Sequence, residues 1–244
     1  MEKPTLLLAA LCSGTLLLGS CNSDKTADTT ATTTETTTAA DTTASSGNMA
    51  GMDDSKMAEG NMSSASPQVT AMNGMMAKMD AMKMKGNTDH DFAHMMMEHH
   101  KGAIAMADIE LRDGKDATMR QMAEKIKADQ QKEIGEMQPI AERLDSAPSN
   151  YKPLDPNDPF TSKMKMSMDG MMKNMPKPVT NPDMNFNMLM TVHHQSAVDM
   201  AKAELAHGKD TKLKEMAQMM VDAQQKEIAA FKDWHAKNGD KMKM

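Results

Sequence analysis

Sulfur and imidazole are the groups in this sequence from which chemistry can be argued. Six methionines fall within residues 72–84 and six more within residues 164–175. On a helix Met72, Met75, Met76 and Met79 share a face, and Met168, Met171, Met172 and Met175 repeat that face in the second run. Thioether sulfur is soft, uncharged and never protonated. It suits copper(I), or silver(I), and survives where thiols would oxidise to disulfides. Methionine also fills irregular core space. Packing accounts well for Met122 or Met216. It accounts poorly for Met166, Met168 and Met171, which are interleaved with Lys163, Lys165, Asp169 and Lys173. These sulfurs are therefore expected to stay accessible as ligands.

The imidazoles come as two adjacent pairs, His99-His100 and His193-His194. His90 and His94 precede the first pair at a spacing of four, which puts both rings on one helix face, as in chelating pairs. The second pair is preceded instead by Met184 and Met188 at the matching positions. Met96 and Met190 lie one turn before His99/His100 and His193/His194. Helical periodicity puts His99 on an inner line with Met96, Ala103, Met106 and Glu110, and puts His100 about 100° away, towards the bundle edge. If the chain turns near Lys115, His99 comes level with Gln131, within one turn of Gln130 and Glu133; Glu204, Gln224 and Glu227 match Glu110, Gln130 and Glu133 in the second half. Such a layer is either a structural hydrogen-bond network or a carboxylate–histidine metal site, and both readings stand. A carboxylate-bridged di-iron bundle would need Glu-x-x-His on its helices, and neither half has it. No Ser–His–Asp context, phosphate-cradling glycine loop or Cys-x-x-Cys is present.

The elements that carry these residues are written twice. Asp89 to Ile140 aligns without gaps on Asp183 to Trp234 at an offset of 94, and 20 of the 52 positions are identical. Each copy has two periodic apolar segments separated at Gly114 or Gly208, a helix-stop signal. One hairpin alone would leave its apolar face wet, so two hairpins closing on each other into an all-α four-helix bundle is the expected fold. The expected organisation is a leader over 1–21, a spacer over 22–68, a first methionine-rich segment and hairpin over 69–144, a proline-rich linker over 145–162, and a second segment and hairpin over 163–238.

The remaining composition narrows the class. After residue 21 there are 32 methionines against 17 Leu, Ile and Val together, so methionine must also help build the core. A net charge of −6 argues against a nucleic-acid binder. Residues 6–18 form an apolar run too short for a stable span, and it ends at Leu18-Gly19-Ser20-Cys21. This resembles a bacterial lipobox, so export, lipidation of Cys21 and a lipid-anchored place in the bacterial envelope, periplasmic or on the outer surface, are expected. Residues 22–48 hold 11 Thr and no apolar side chain larger than Ala, the composition of a disordered tether.

At Asp89, Phe92, Met96, His99-His100, Ala103-Ile104, Met106-Ala107, Gln130 and Glu133-Ile134 the sequence resembles the domain of unknown function 305 family. The second copy matches through Asp183, Phe186, Met190, His193, His194, Ala197, Met200, Gln224 and Glu227. The resemblance implies a ferritin-like bundle, usually exported, some of whose members are similar to periplasmic copper-binding proteins with Met and His ligands. The expected function is thus a non-enzymatic envelope lipoprotein that binds a soft metal, copper(I) above all, for sequestration, tolerance or delivery to an exchange partner. An oxidase built in the bundle core and a purely structural bundle are the alternatives.

Overall fold

The computed structural model describes residues 66–240, and these are all helix and connection, with no strand among them. Six helices follow one another: α1 (Pro67–Asp80), α2 (Thr88–Asp113), α3 (Ala117–Leu144), α4 (Pro159–Lys173), α5 (Pro182–His207) and α6 (Thr211–Asn238). The leader, Cys21 and the spacer up to residue 65 lie outside the described residues. No described helix is long and apolar enough to cross a membrane.

The helix starts are set locally. Ser66, Asn87, Asp116, Asp158, Asn181 and Asp210 each precede a helix, and each side chain accepts from a backbone N–H of the first turn. That satisfies donors the helix itself cannot pair. Pro67, Pro159 and Pro182 occupy first positions, where a missing N–H costs nothing.

Four of the helices make the expected bundle. α2 packs on α3, α5 packs on α6, and the two hairpins join through α2 and α5. α1 and α4, built from the two methionine runs, are additional: α1 lies against α2 and α5, and α4 against α5. The core is methionine, alanine and phenylalanine, with Phe92, Phe160, Phe186, Phe231, Met72, Met96, Met106, Met119 and Met190 almost wholly enclosed.

The hairpins are tied at both ends by reciprocal carboxylates. Asp89 Oδ1, at the start of α2, accepts from Lys209 N and Asp210 N at 2.7 and 2.6 Å, in the turn before α6. Asp183 Oδ1, at the start of α5, accepts from Lys115 N and Asp116 N at 2.8 and 2.7 Å, in the turn before α3. Each half thus caps the turn of the other. Both Asp residues are buried, so losing one removes the acceptor of two N–H groups in a partly buried turn. Asp89→Ala is expected to lower unfolding stability by about 2–3 kcal/mol, read as a lower urea midpoint with an unchanged slope.

Candidate metal centre

The methionines of α1 and α4 divide between two faces. Met72, Met75 and Met79 sit at 0, 3 and 2% exposure in the core, and Met75 packs so closely on α2 that Gly102 has no room for a Cβ. On α4, Met164 and Met171 are buried with Ser167, whose Oγ donates to Ser196 O at 2.9 Å. Met171 therefore corrects the expectation of accessible sulfur in this run. The lysines and aspartates that made the segment look too polar for a core occupy the outer side, as Lys165 paired to Asp169 at 2.7 Å does. An amphipathic helix tolerates polar residues between core residues because neighbours in sequence are about 100° apart.

The stripe next to the core face does something else. Met76 and Met79 from α1, Met82 and Met84 from the following loop, Met95 from α2, and Met164, Met168 and Met172 from α4 line one cleft of about 610 Å³. Tyr151, Phe160, Asp80, Lys165 and Asp169 complete it. Met76, Met82, Met84 and Met168 are half-buried, and Met172 is 61% exposed. Eight thioethers from the two halves thus share a solvent-accessible cavity. Met82, Met84, Met95 and Met164 were not singled out by periodicity: two lie in a loop, and the two helical ones fall outside the faces that the sequence marked. Met72, Met75, Met171 and Met175 do not line this cleft. Met184 is buried, and half-buried Met188 lines a separate small pocket with His235.

The paired histidines lie in the bundle interior. His99, His100, His193 and His194 are all fully enclosed, which corrects the placing of His100 at the bundle edge. His99 and His193 stack on each other at the α2–α5 contact, with ring centroids 3.7 Å apart, and His193 Nε2 donates to the His99 carbonyl at 2.9 Å. The carboxylate partner belongs to the next residue: His100 Nε2 meets Glu133 Oε2 at 2.7 Å, and His194 Nε2 meets Glu227 Oε2 at 2.9 Å. The expected His99–Glu133 layer is therefore a His100–Glu133 layer, repeated as His194–Glu227. A bundle helix has two neighbours, so consecutive residues serve different interfaces. His99 faces the other hairpin while His100 faces its own. Burial without a compensating acid holds His99 and His193 well below the usual imidazole range. Met96 and Met190 are core residues, and Gln130 and Gln224 are buried, each with an Oε1 that has no hydrogen-bond partner.

Glu110 and Glu204 are buried at the far ends of α2 and α5. Each side chain folds over the helix end against Gly114 or Gly208, leaving no room for a Cβ there. Burial, and then Asp183, push Glu110 up to about 8; burial, and then Asp89, push Glu204 up to about 9. Both carboxyls are enclosed where burial favours the protonated form, and no oxygen of either has a hydrogen-bond partner.

One further cluster brings ligand atoms together. His90, His94 and Asp145 place one donor atom each within 4.8 Å of the others, the only group of three or more His, Cys, Asp or Glu among the described residues to do so. Asp145 follows the last residue of α3 and was not singled out from the sequence, where it reads as the first residue of a linker.

The profile of the family described as "domain of unknown function (DUF305)" matches residues 18–140 and 89–235. No curated protein matches the chain. Among solved structures, CopM in a silver-bound form is 25% identical, spanning 63% of this chain and 98% of its own, with a TM-score of 0.47. CopM in a copper(I)-bound form is 25% identical over 61% of this chain and 96% of its own, also at 0.47. A secreted DUF305 protein from Streptomyces coelicolor is 24% identical over 64% of this chain and 96% of its own, at 0.49.

Proposed function

We propose that this chain, which belongs to the DUF305 family, is a copper(I)-binding protein that holds its metal in the methionine-lined cleft between the two repeats. The observation that carries the reading is the convergence of eight thioethers on one solvent-open cavity, five of them left incompletely buried. Packing alone gives no reason to leave Met172 exposed beside Met76 and Met168. Thioethers select a soft monovalent ion, so copper(I) and silver(I) fit this cavity and hard divalent ions do not. Lys165 and Asp169 at the cleft neutralise each other, and Asp80 leaves it with a net negative charge that favours a cation. The role is binding for sequestration, tolerance or transfer, not turnover. Titration of the protein with copper(I) against a competing chelator tests it: a site that outcompetes the chelator supports the reading, and the absence of competition defeats it.

The location proposed for this role is the bacterial envelope, with the domain tethered by a lipid on Cys21. Cys21→Ser is expected to move the protein from the membrane to the soluble fraction, or to leave an uncleaved precursor. Normal processing and unchanged membrane partition of the variant would show the tether to be wrong.

A further inference from the structure

His90 is held in one tautomer. Its Nδ1 donates to Asp91 Oδ1 at 2.7 Å. Asp91 is itself buried and fixed from three other directions, by Lys85 N at 2.9 Å, Gly86 N at 2.8 Å and the Tyr151 hydroxyl at 2.6 Å. With a proton fixed on Nδ1, the ring presents Nε2 outwards. That atom lies within hydrogen-bond reach of Asp145 Oδ1 at 3.1 Å, and His94 Nε2 lies 3.7 Å from the same oxygen. His94 Nε2 is enclosed and has no hydrogen-bond partner. Three atoms able to ligate a metal therefore lie within 4.8 Å of one another, a separation that one cation can bridge.

The spacing fits a particular cation. Ligands about 2.0–2.1 Å from a tetrahedral ion stand roughly 3.3 Å from one another. The 3.1 and 3.7 Å separations bracket that edge. Asp91 behind His90 is the carboxylate that orients a metal-ligating imidazole through its other nitrogen.

The second repeat serves as an internal comparison. At the offset of 94, His90, Asp91, His94 and Asp145 become Met184, Asn185, Met188 and Gly239. All three donors and the orienting carboxylate change together. The structural part of the Asp91 role persists: Asn185 still holds the preceding loop, accepting from Val179 N at 2.8 Å and donating to Val179 O at 2.6 Å. An amide suffices for the loop. A carboxylate is needed where an imidazole must be oriented.

From this geometry we infer that His90, His94 and Asp145 form a second metal site, separate in its ligands from the methionine cleft, that binds one divalent borderline cation such as zinc(II) or copper(II) with a fourth position left to water. The site has nitrogen and oxygen donors and no sulfur, so its metal preference is the opposite of that of the thioether cleft. It goes beyond the copper(I) reading and does not rest on it.

Calorimetric titration of the whole protein with zinc(II) tests the site. One zinc(II) per chain is expected at these three residues. H90M/H94M, which writes in the second repeat's own residues, is expected to weaken that binding at least a hundredfold while thermal unfolding and copper(I) competition stay as in the parent. Asp91→Asn keeps the Lys85 N contact available, as Asn185 keeps that of Val179, but gives up one of two backbone acceptors; it is expected to weaken zinc(II) about 10–100-fold, with the loss of the Gly86 contact read separately as a change in thermal stability. Loaded with copper(II) instead, the parent is expected to show nitrogen hyperfine splitting from two imidazoles, absent in H90M/H94M. The inference is overturned if the parent takes up no zinc(II), if H90M/H94M retains the parent's affinity, or if the variant loses zinc(II) and copper(I) together.

Discussion

Replacing Met76, Met164, Met168 and Met172 together by leucine is expected to weaken copper(I) binding by about a hundredfold or more, roughly 3 kcal/mol, with helix content unchanged. These four line the cleft from both repeats. Leucine matches methionine in volume and helix propensity, so the packing of α1 and α4 survives, but it offers no donor atom. A matched control is Met72→Leu with Met75→Leu, both in the core and outside the cleft. That pair is expected to keep the parent's copper(I) affinity and to shift only thermal stability. Equal affinity in the parent and the cleft variant, measured by chelator competition, would mean that the eight sulfurs are packing.

Stability is expected to be flat between about pH 4.5 and 6.5 and to fall on both sides. The acid flank belongs to His99 and His193, whose folded-state pKa values are depressed. Their neutral rings are compatible with burial above the unfolded value of about 6.5. As pH falls below it, the unfolded chain takes up two protons that the folded one refuses, and stability is lost. The alkaline flank belongs to Glu110 and Glu204, raised to about 8 and about 9. Their contribution is fully present below the unfolded value and is lost as pH rises towards the folded ones. Each contributes about 1.4 kcal/mol per pH unit in that window. Between pH 4.5 and 6.5 the two pairs oppose each other. From pH 6.5 to 8 only the carboxyls act, and the melting temperature is expected to drop by about 8–16 °C. Glu110→Gln with Glu204→Gln should remove this alkaline slope and leave the acid flank. A double variant that still destabilises with the parent's slope above pH 6.5 would assign the flank elsewhere.

Both predictions rest on how the repeat folds. Each capping aspartate reaches into the other half: Asp89 holds the turn at Lys209 and Asp210, and Asp183 holds the turn at Lys115 and Asp116. The hairpins therefore share their end contacts as well as the His99–His193 stack, which ties the titration of Glu110 and Glu204 to the whole domain.

The sequence by itself determined the helical class, the duplicated hairpin and which residues are chemically interesting. Those properties are periodic or local. A 3.6-residue apolar repeat, a glycine stop at Gly114 and Gly208 and a gapless 94-residue offset need no long-range information to be read. It also marked His90 and His94 as a chelating pair, because a spacing of four fixes them on one face. Tertiary structure alone decided what those residues meet. Periodicity gives an angle about a helix axis but not which neighbour lies at that angle. His99 and His100 were thus separable, yet only the packing of α2 between α3 and α5 gave Glu133 to His100 and the His193 ring to His99. In the same way, Met75 and Met76 differ by about 100°. That rotation put one sulfur in the core against Gly102 and the other in the cleft, because α1 meets α2 on a single side. Asp145 and Tyr151, far along the chain from His90 and Asp91, joined them only when the 145–158 connection folded back onto the loop at Gly86. There a positive φ of 87° lets the glycine carbonyl accept from Asn150 N and Tyr151 N. Contacts across such separations are set by which surfaces bury each other, and no local pattern in the sequence records them.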